Sequence, residues 1–420
     1  MASNNDKVVL ALIGAGGRGT QVILGMQKCA PGIEVKYVCE VDSERGGRVI
    51  DELEKRQQVK PLRIEDMRRA FDDKDVDAVV ICTPEHWHSL AAIRACQAGK
   101  DVYVEKNISL NIAEGRKMIE AASRYNRIVQ CGFQNRSAPY NLSARDYIRS
   151  GKLGKIALVK TYCMLPGSKP WILKEDSPVP EGLNWDMWLG PAPMVPYNIS
   201  RHKAWYEWWA YSGGIHLASD AAHVMDLARM VLGDPDNPKS VYCAGGRVLY
   251  DDNRDIPDNQ TITYDFGDFP MTCESSNYGD YLSKTAPEIR YSDLFPNWPF
   301  NSTRIEIYGT EGFMYLGRHG GGWQVIGNDS KVVAQGYGYF PDEVHQQDFI
   351  QSVRTRKVPN SNIEQGHKSA TLVHLANLSY RAGKKQLYFD SETELITNSD
   401  EANSISKGSY RKGYEIPEIV

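Results

Sequence analysis

The feature that most constrains this chain is a glycine-rich turn set directly between a strand and a helix. The apolar run VVLALI (8–13) leads into Gly14-Ala15-Gly16-Gly17-Arg18-Gly19, and a helical pattern begins near Thr20. Gly14 permits a tight turn, Gly16 lets backbone approach a diphosphate, and Gly19 lets the helix pack close on the strand. The diphosphate then rests at a helix N-terminus, where free N–H groups and the dipole favour negative charge. Further short apolar runs follow, at VKYVCE (35–40), AVVIC (78–82), VYV (102–104) and IVQCG (128–132), with helix-like segments at 43–55, 89–98 and 112–125 between them. That alternation predicts an α/β fold with a doubly wound parallel sheet of Rossmann type. Glu40, 21 residues beyond Gly19, ends the second strand, where a carboxylate accepts both ribose hydroxyls of adenosine. NAD is therefore the expected cofactor, with Arg18 or Arg45 leaving open a contact to the 2′-phosphate of NADP.

After residue 154 the texture changes. KIALVKTYCM, SVYCAGGRVLY, TITYDF, MTCESSNYG, RIEIYGTEGFMYLG and GWQVIG read as a large open, mostly antiparallel sheet, interrupted by helical stretches at 215–232, 343–354 and 370–382. At 420 residues the chain exceeds what one core usually serves. The expected division is a cofactor domain over 1–135, a substrate-binding and oligomerisation α/β domain over 136–390, and a polar strap over 391–420. With 49 basic and 53 acidic residues the net charge is -4, which offers no footprint for nucleic acid or an anionic membrane. Eight scattered cysteines lack zinc spacing and are expected reduced. No apolar run is long enough to span a bilayer, and MASNNDK carries no secretion signal. The expected compartment is the cytoplasm, the periplasm remaining open if an export signal has been trimmed. GxSxG, HExxH and GxxxxGK[ST] are absent, which excludes serine hydrolase, zincin and P-loop chemistry of those types.

Ligands of open α/β sheets bind beyond the C-terminal strand ends. Thr83, Pro84, Trp87 and His88 follow one strand, Glu105 and Lys106 the next, and Gln134 and Arg136 the one after. Lys106 is the candidate that donates to, or deprotonates, a sugar hydroxyl as it becomes a carbonyl. Glu105 is expected to touch the cofactor ribose or orient that lysine, and Arg136 to reach the substrate. Further on, a Gly213-Gly214 turn feeds a helix in which His216, Asp220, His223 and Asp226 fall at i, i+4, i+7 and i+10, near one face. His223 and Asp220 are the catalytic candidates there and His216 a substrate contact; no metal is assigned. Six of nine tryptophans lie within 171–209. Trp185 and Trp188 are read as packing anchors, while Arg201, His202, Trp205 and Tyr206 are the candidate sugar contacts, indole faces meeting sugar C–H surfaces.

The pieces GAGGRG, CEVD, CTPEHWH, GKDVYVEK, QCGFQNRS, NWDMWLGPAP, AHVMD and YGTEGFMYL together resemble the glucose-fructose oxidoreductase, inositol dehydrogenase and rhizopine-catabolism (Gfo/Idh/MocA) family. The resemblance implies a Rossmann domain followed by an α/β domain whose open sheet often serves oligomer contacts, and NAD(P)-linked oxidation of sugars or cyclitols. It carries the catalytic lysine to Lys106 and the family histidine to His223. Two departures stand out. Asn107 replaces the usual proline of Glu-Lys-Pro, and Ser219 occupies the place four before His223 where members often carry an acid, with Asp220 one residue later. The expected activity is NAD-dependent oxidation of a sugar, glycoside or cyclitol hydroxyl by a homodimer or homotetramer. The alternatives are an NAD-dependent glycosidase that oxidises transiently and eliminates the aglycone, and a non-catalytic sugar or NAD sensor.

Overall fold

A computed structural model describes residues 7–167, 170–278, 280–418 and 420. Strands β1 (Val8–Ile13), β2 (Ile33–Cys39), β3 (Leu62–Ile64), β4 (Ala78–Ile81), β5 (Asp101–Val104) and β6 (Val129–Cys131) form one sheet in the order β3-β2-β1-β4-β5-β6, every pair parallel. Strand alternation explains its two covers. Val8, Leu10 and Leu12 meet the Gly17–Cys29 and Gly47–Gln57 helices through Val22, Ile23, Met26, Val49 and Leu53. Val9, Ala11 and Ile13 point the other way, into a core shared with the helices His88–Gln97 and Ile112–Arg124. Burial on both faces is why these strands read as continuous apolar runs.

The second sheet has ten strands: β7 (Ile156–Pro166), β8 (Ser240–Gly246), β9 (Asn259–Asp265), β10 (Pro270–Tyr278), β11 (Arg304–Gly309), β12 (Gly312–Gly317), β13 (Trp323–Ile326), β14 (Val332–Gly336), β15 (Leu387–Asp390) and β16 (Leu395–Ile396). Their order is β14-β13-β12-β11-β7-β10-β9-β8-β15-β16, with β7 and β10 the parallel pair in an otherwise antiparallel array. Val159, Cys163, Ile262, Tyr264, Met271 and Ile305 face inward against the helices Ala222–Val231 and Ile363–Arg381, while β9 alternates buried and exposed positions and leaves its other side in solvent.

The late helices return to the first sheet. Phe349 and Ile350 of Asp342–Thr355 join the core of the Gly17–Cys29 helix, and a Cβ on Gly115 would stand 2.2 Å from His367 Nδ1. The tail also lies along the first sheet's helices. The Tyr410 hydroxyl donates to Glu114 Oε1 (2.9 Å), Arg411 donates to the Gly190 carbonyl (2.9 Å), and Tyr414 stands edge-on to Trp87. All eight cysteines are free thiols, and among the described residues no helix is long and apolar enough to cross a membrane.

Candidate active site

The glycine turn forms the floor of a cleft walled by Glu40, Arg45, Thr83, Pro84, Trp87, Trp188 and Trp205. Its glycines divide into two kinds. Gly14 has φ +92 and a Cβ there would lie 2.8 Å from the Cys82 backbone, while a Cβ on Gly19 would stand 2.0 Å from the Gly14 carbonyl. Those two close the strand–turn–helix corner. Gly17 would meet nothing within 4 Å and Gly16 only Arg45 Nη1 at 3.7 Å, so their bare backbone opens on the cleft at the N-terminus of the Gly17–Cys29 helix. An open cradle of unpaired N–H groups fits a dinucleotide diphosphate. Glu40 lies beside it, its Oε2 accepting from Ala15 N (2.9 Å) and its Oε1 from Asp42 N (3.2 Å), and it faces the cleft as the ribose reading requires.

Arg18 faces elsewhere. Its Nε donates to Glu105 Oε1 (2.8 Å) and its two terminal nitrogens donate to Asp342 (3.0 and 3.1 Å). The guanidinium therefore ties the glycine turn to the end of β5 and to a C-terminal helix, and it does not stand over Glu40 as a 2′-phosphate partner would. Burial works to raise the Glu105 carboxyl, but Arg18 and Lys106 outweigh it and hold it below the usual range. Glu105 also accepts from the Tyr103 hydroxyl (3.1 Å) and, weakly, from Gln134 Nε2 (3.3 Å). These bonds make Glu105 a support of the Lys106 loop, the second of its two expected roles, and set Gln134 behind that loop, where a cofactor contact was expected. His88 is corrected in the same way, since its Nδ1 bonds the Asn107 carbonyl (2.7 Å) and its Nε2 that of Thr83 (2.8 Å). Both ring nitrogens are spent joining two strand-end loops.

Lys106 stands between the two halves of the molecule, Nζ 3.4 Å from Ser219 Oγ. His223 is buried, edge-on to Phe133 at 5.7 Å between ring centroids, and its Nδ1 has no partner. Burial first, then the charges of Arg318 and Lys106, keep this imidazole neutral. The expected single helical face does not form. Residues 215–221 make a π-type turn broken at Ser219 (φ -96, ψ -106), and only Ala222–Val231 is regular α-helix. The break separates the polar residues. His216 is buried with neither ring nitrogen bonded, and Asp226 turns to Arg136. Asp220, proposed from sequence as catalytic, is ion-paired with Lys284 and Arg318 (3.3 Å), and the ring of His319, kept neutral by burial, stands 3.6 Å away. Although burial opposes it, those cations hold its carboxyl well below the usual range, so it serves as an anchor for cations and is a poor proton acceptor.

Arg136 is also corrected. Its Nε donates to Asp226 Oδ1 (2.7 Å) and its Nη2 to Asp234 (2.9 Å), with the side chain 2% exposed. It is a core ion pair and no substrate contact. The aromatic segment divides because a 3₁₀ turn (Trp205–Glu207) is followed by extended backbone at Trp208. Trp205 and His202 line the cofactor cleft, and Tyr206 packs edge-on to Trp205 at 5.7 Å. Arg201 lies 4.0 Å over the Trp208 ring, and Trp209 carries Arg381 at 5.0 Å. The expected sugar platform is thus three separate contacts. Trp185 and Trp188 stack at 4.6 Å in a small core of their own, as anchors do.

One residue escaped the sequence reading. Glu85 is buried, its Oε2 accepts from Gly213 N (2.8 Å), and it also accepts from Ser212 and from the Asn107 backbone. Burial pushes its carboxyl up to about 7 against the pull of Lys106. Glu85 thereby clamps the Lys106 loop to the turn that leads to His223. The signal was present, an acid at a strand end inside CTPEHWH, but its partner lies 128 residues away.

Residues 8–133 match the GFO_IDH_MocA family, described as an oxidoreductase family with an NAD-binding Rossmann fold. Residues 170–273 and 309–416 match its C-terminal alpha/beta domain. The chain is 25% identical over 315 residues to scyllo-inositol 2-dehydrogenase (NAD(+)) of Bacillus subtilis, 74% of each protein. It is 28% identical over 170 residues to levoglucosan dehydrogenase of Pseudarthrobacter phenanthrenivorans, 40% of this chain and 36% of that one. Among solved structures, aldose-aldose oxidoreductase from Caulobacter crescentus, complexed with glycerol, superposes with a TM-score of 0.66 at 17% identity, covering 91% of this chain and 100% of that one. Levoglucosan dehydrogenase with NADH and levoglucosan gives 0.65 at 17% identity, covering 94% and 100%. At these identities the superpositions speak to the fold.

Proposed function

Because the chain belongs to the Gfo/Idh/MocA oxidoreductase family, with its NAD-binding Rossmann domain, we propose that it oxidises a hydroxyl of a sugar, glycoside or cyclitol with Lys106 and His223 as its acid–base pair. The observation that carries this reading is that Lys106, at the end of β5, reaches Ser219 at the break just before His223, and its charge acts on that buried imidazole, whose Nδ1 has no hydrogen-bond partner. Bound nicotinamide supplies the hydride acceptor. Gly16 and Gly17 would hold the diphosphate, and Glu40 the adenosine ribose in preference to a 2′-phosphate.

Lys106 then has three tasks: to hold the reacting oxygen, to stabilise negative charge as it develops, and to pass the hydroxyl proton on with His223. A neutral imidazole with a free ring nitrogen offers the hydroxyl a hydrogen-bond acceptor, and the negative charge developing on the substrate oxygen beside it would raise its basicity. Ser219 orients the lysine where relatives often place an acid, and Glu85 fixes the loop from the other side. Burial around His223 excludes water that would compete for the proton. The solvent-facing side of the ten-stranded sheet supports association into a homodimer or homotetramer.

The test is NADH absorbance across a panel of sugars, cyclitols and aryl glycosides supplied with NAD. Accumulating NADH that disappears in Lys106→Met supports the reading. Aglycone release without net NADH would replace it with redox-neutral glycoside cleavage, and binding of NAD without turnover of any compound would replace it with a sensor.

A further inference from the structure

Arg318 follows β12 in the turn to β13, and its side chain is buried at 7% exposure. Such a guanidinium presents five N–H donors in a rigid fork. Among the described residues its guanidinium donates no hydrogen bond, its Nε included. Asp220 Oδ1 is 3.3 Å away but out of line, and the Phe340 ring lies 5.6 Å from the guanidinium carbon. Leaving buried donors unmet is costly. The polar surroundings give the missing acceptor its sign. Lys284 takes the other oxygen of Asp220, His319 donates to or accepts from Thr303 Oγ1 (2.9 Å), and Arg18 is matched by Glu105 and Asp342. Of the two carboxylates that act on Arg318, Asp220 accepts from Lys284 and Asp342 from Arg18, so neither hydrogen-bonds the Arg318 fork, while Glu85 and Glu105 act on Lys106.

We propose that the substrate bears a carboxylate, received by the Arg318 fork beside Lys284 while the carbon to be oxidised lies at Lys106 and His223. This rests on the oxidation reading above and narrows its substrate to acidic sugars such as uronates and aldonates. The placement is local. Lys106 touches Ser219, Arg318 pairs with the next residue, Asp220, and both cations act on the same imidazole. A planar carboxylate matches a guanidinium through two parallel hydrogen bonds, as a phosphate also can and a single hydroxyl cannot, so glucose 6-phosphate is the comparison that separates the two anions.

The experiment is calorimetry of the NAD-loaded full chain with glucuronate, galacturonate and gluconate, with their neutral parents glucose, galactose and glucitol, and with glucose 6-phosphate, run in parallel with NADH absorbance. At least one acid is expected to bind about 30-fold or more tightly than its parent. Arg318→Met should erase that preference while NAD affinity, which reports folding, stays unchanged. If that variant does not fold, Arg318→Lys should weaken the preference and Lys284→Met should reduce it. No acid exceeding its parent, a preference that survives Arg318→Met, or tighter binding of glucose 6-phosphate overturns the proposal. Turnover of neutral sugars without acid preference would overturn this inference and leave the oxidation reading standing. Acid preference with no NADH from any compound would do the reverse.

Discussion

Around the 14–19 turn the ligand surface is made of bare backbone, and the two glycines that close the corner touch neighbours within the same parallel sheet. Around 213–223 it is made of side chains, held by Glu85, Lys284 and Arg318 from three other parts of the chain. The first surface asks only that certain residues lack a Cβ. The second asks that several charges be brought together and each be matched, which is a condition on the whole fold. On the proposed reading, that difference is why the first region would take a ligand part shared by many enzymes and the second would set substrate choice.

Four measurements would break or sharpen this contrast. The largest effect is expected at the meeting point of the two regions. Lys106→Met should lower turnover by about 10²–10⁴-fold while NAD titration is unaffected, and an unchanged kcat would remove Lys106 from the chemistry. Next comes the charge matching that supports the second region. Arg136→Met leaves Asp226 buried without its partner, and urea unfolding should show a loss of about 3–5 kcal/mol; adding Asp226→Asn should recover part of it. A negligible loss would mean that the pair is not needed to hold the His223 helix.

The third concerns pH. Burial raises the Glu85 carboxyl to about 7, so the folded chain keeps a proton that the unfolded chain, near 4.5, releases. Its contribution is fully present below pH 4.5 and is lost as pH rises through 7, by about 3 kcal/mol. Glu85→Gln should flatten that part of the stability profile; an identical profile would sink the assignment. Smallest is a change in the backbone region. Glu40→Ala should weaken NAD about 10-fold and narrow its advantage over NADP, as cofactor titration would reveal.

The glycine turn, five of the six parallel strands and Lys106 at a strand end were legible because each depends on residues close in sequence, whereas the edge strand β3, three residues long and largely exposed, carries no apolar run to read. Trp185 and Trp188 were legible as anchors because they stand three apart on one short helix and stack on each other. The helical face drawn through His216, Asp220, His223 and Asp226 was not, because the break at Ser219 turns the halves apart. Arg136 looked like a ligand-facing residue at a strand end until Asp226 and Asp234 closed on it. Glu85 stood at a legible strand end, but its partners, like those of Arg318, could not be read, as nothing in their immediate sequence indicates what faces them.

By itself, the sequence determined the cofactor half: strand periodicity, obligatory glycines and an acid at a set distance are local rules, enforced by backbone sterics and a helix terminus. Only the tertiary structure decided which charges are spent on one another and which stay available. Asp220, Arg136 and Glu105 were taken up by partners from distant segments, while His223 and Arg318 were left with unmet polar atoms. The physical reason is burial, which makes every charge or polar atom depend on its neighbours in space, whatever their separation along the chain.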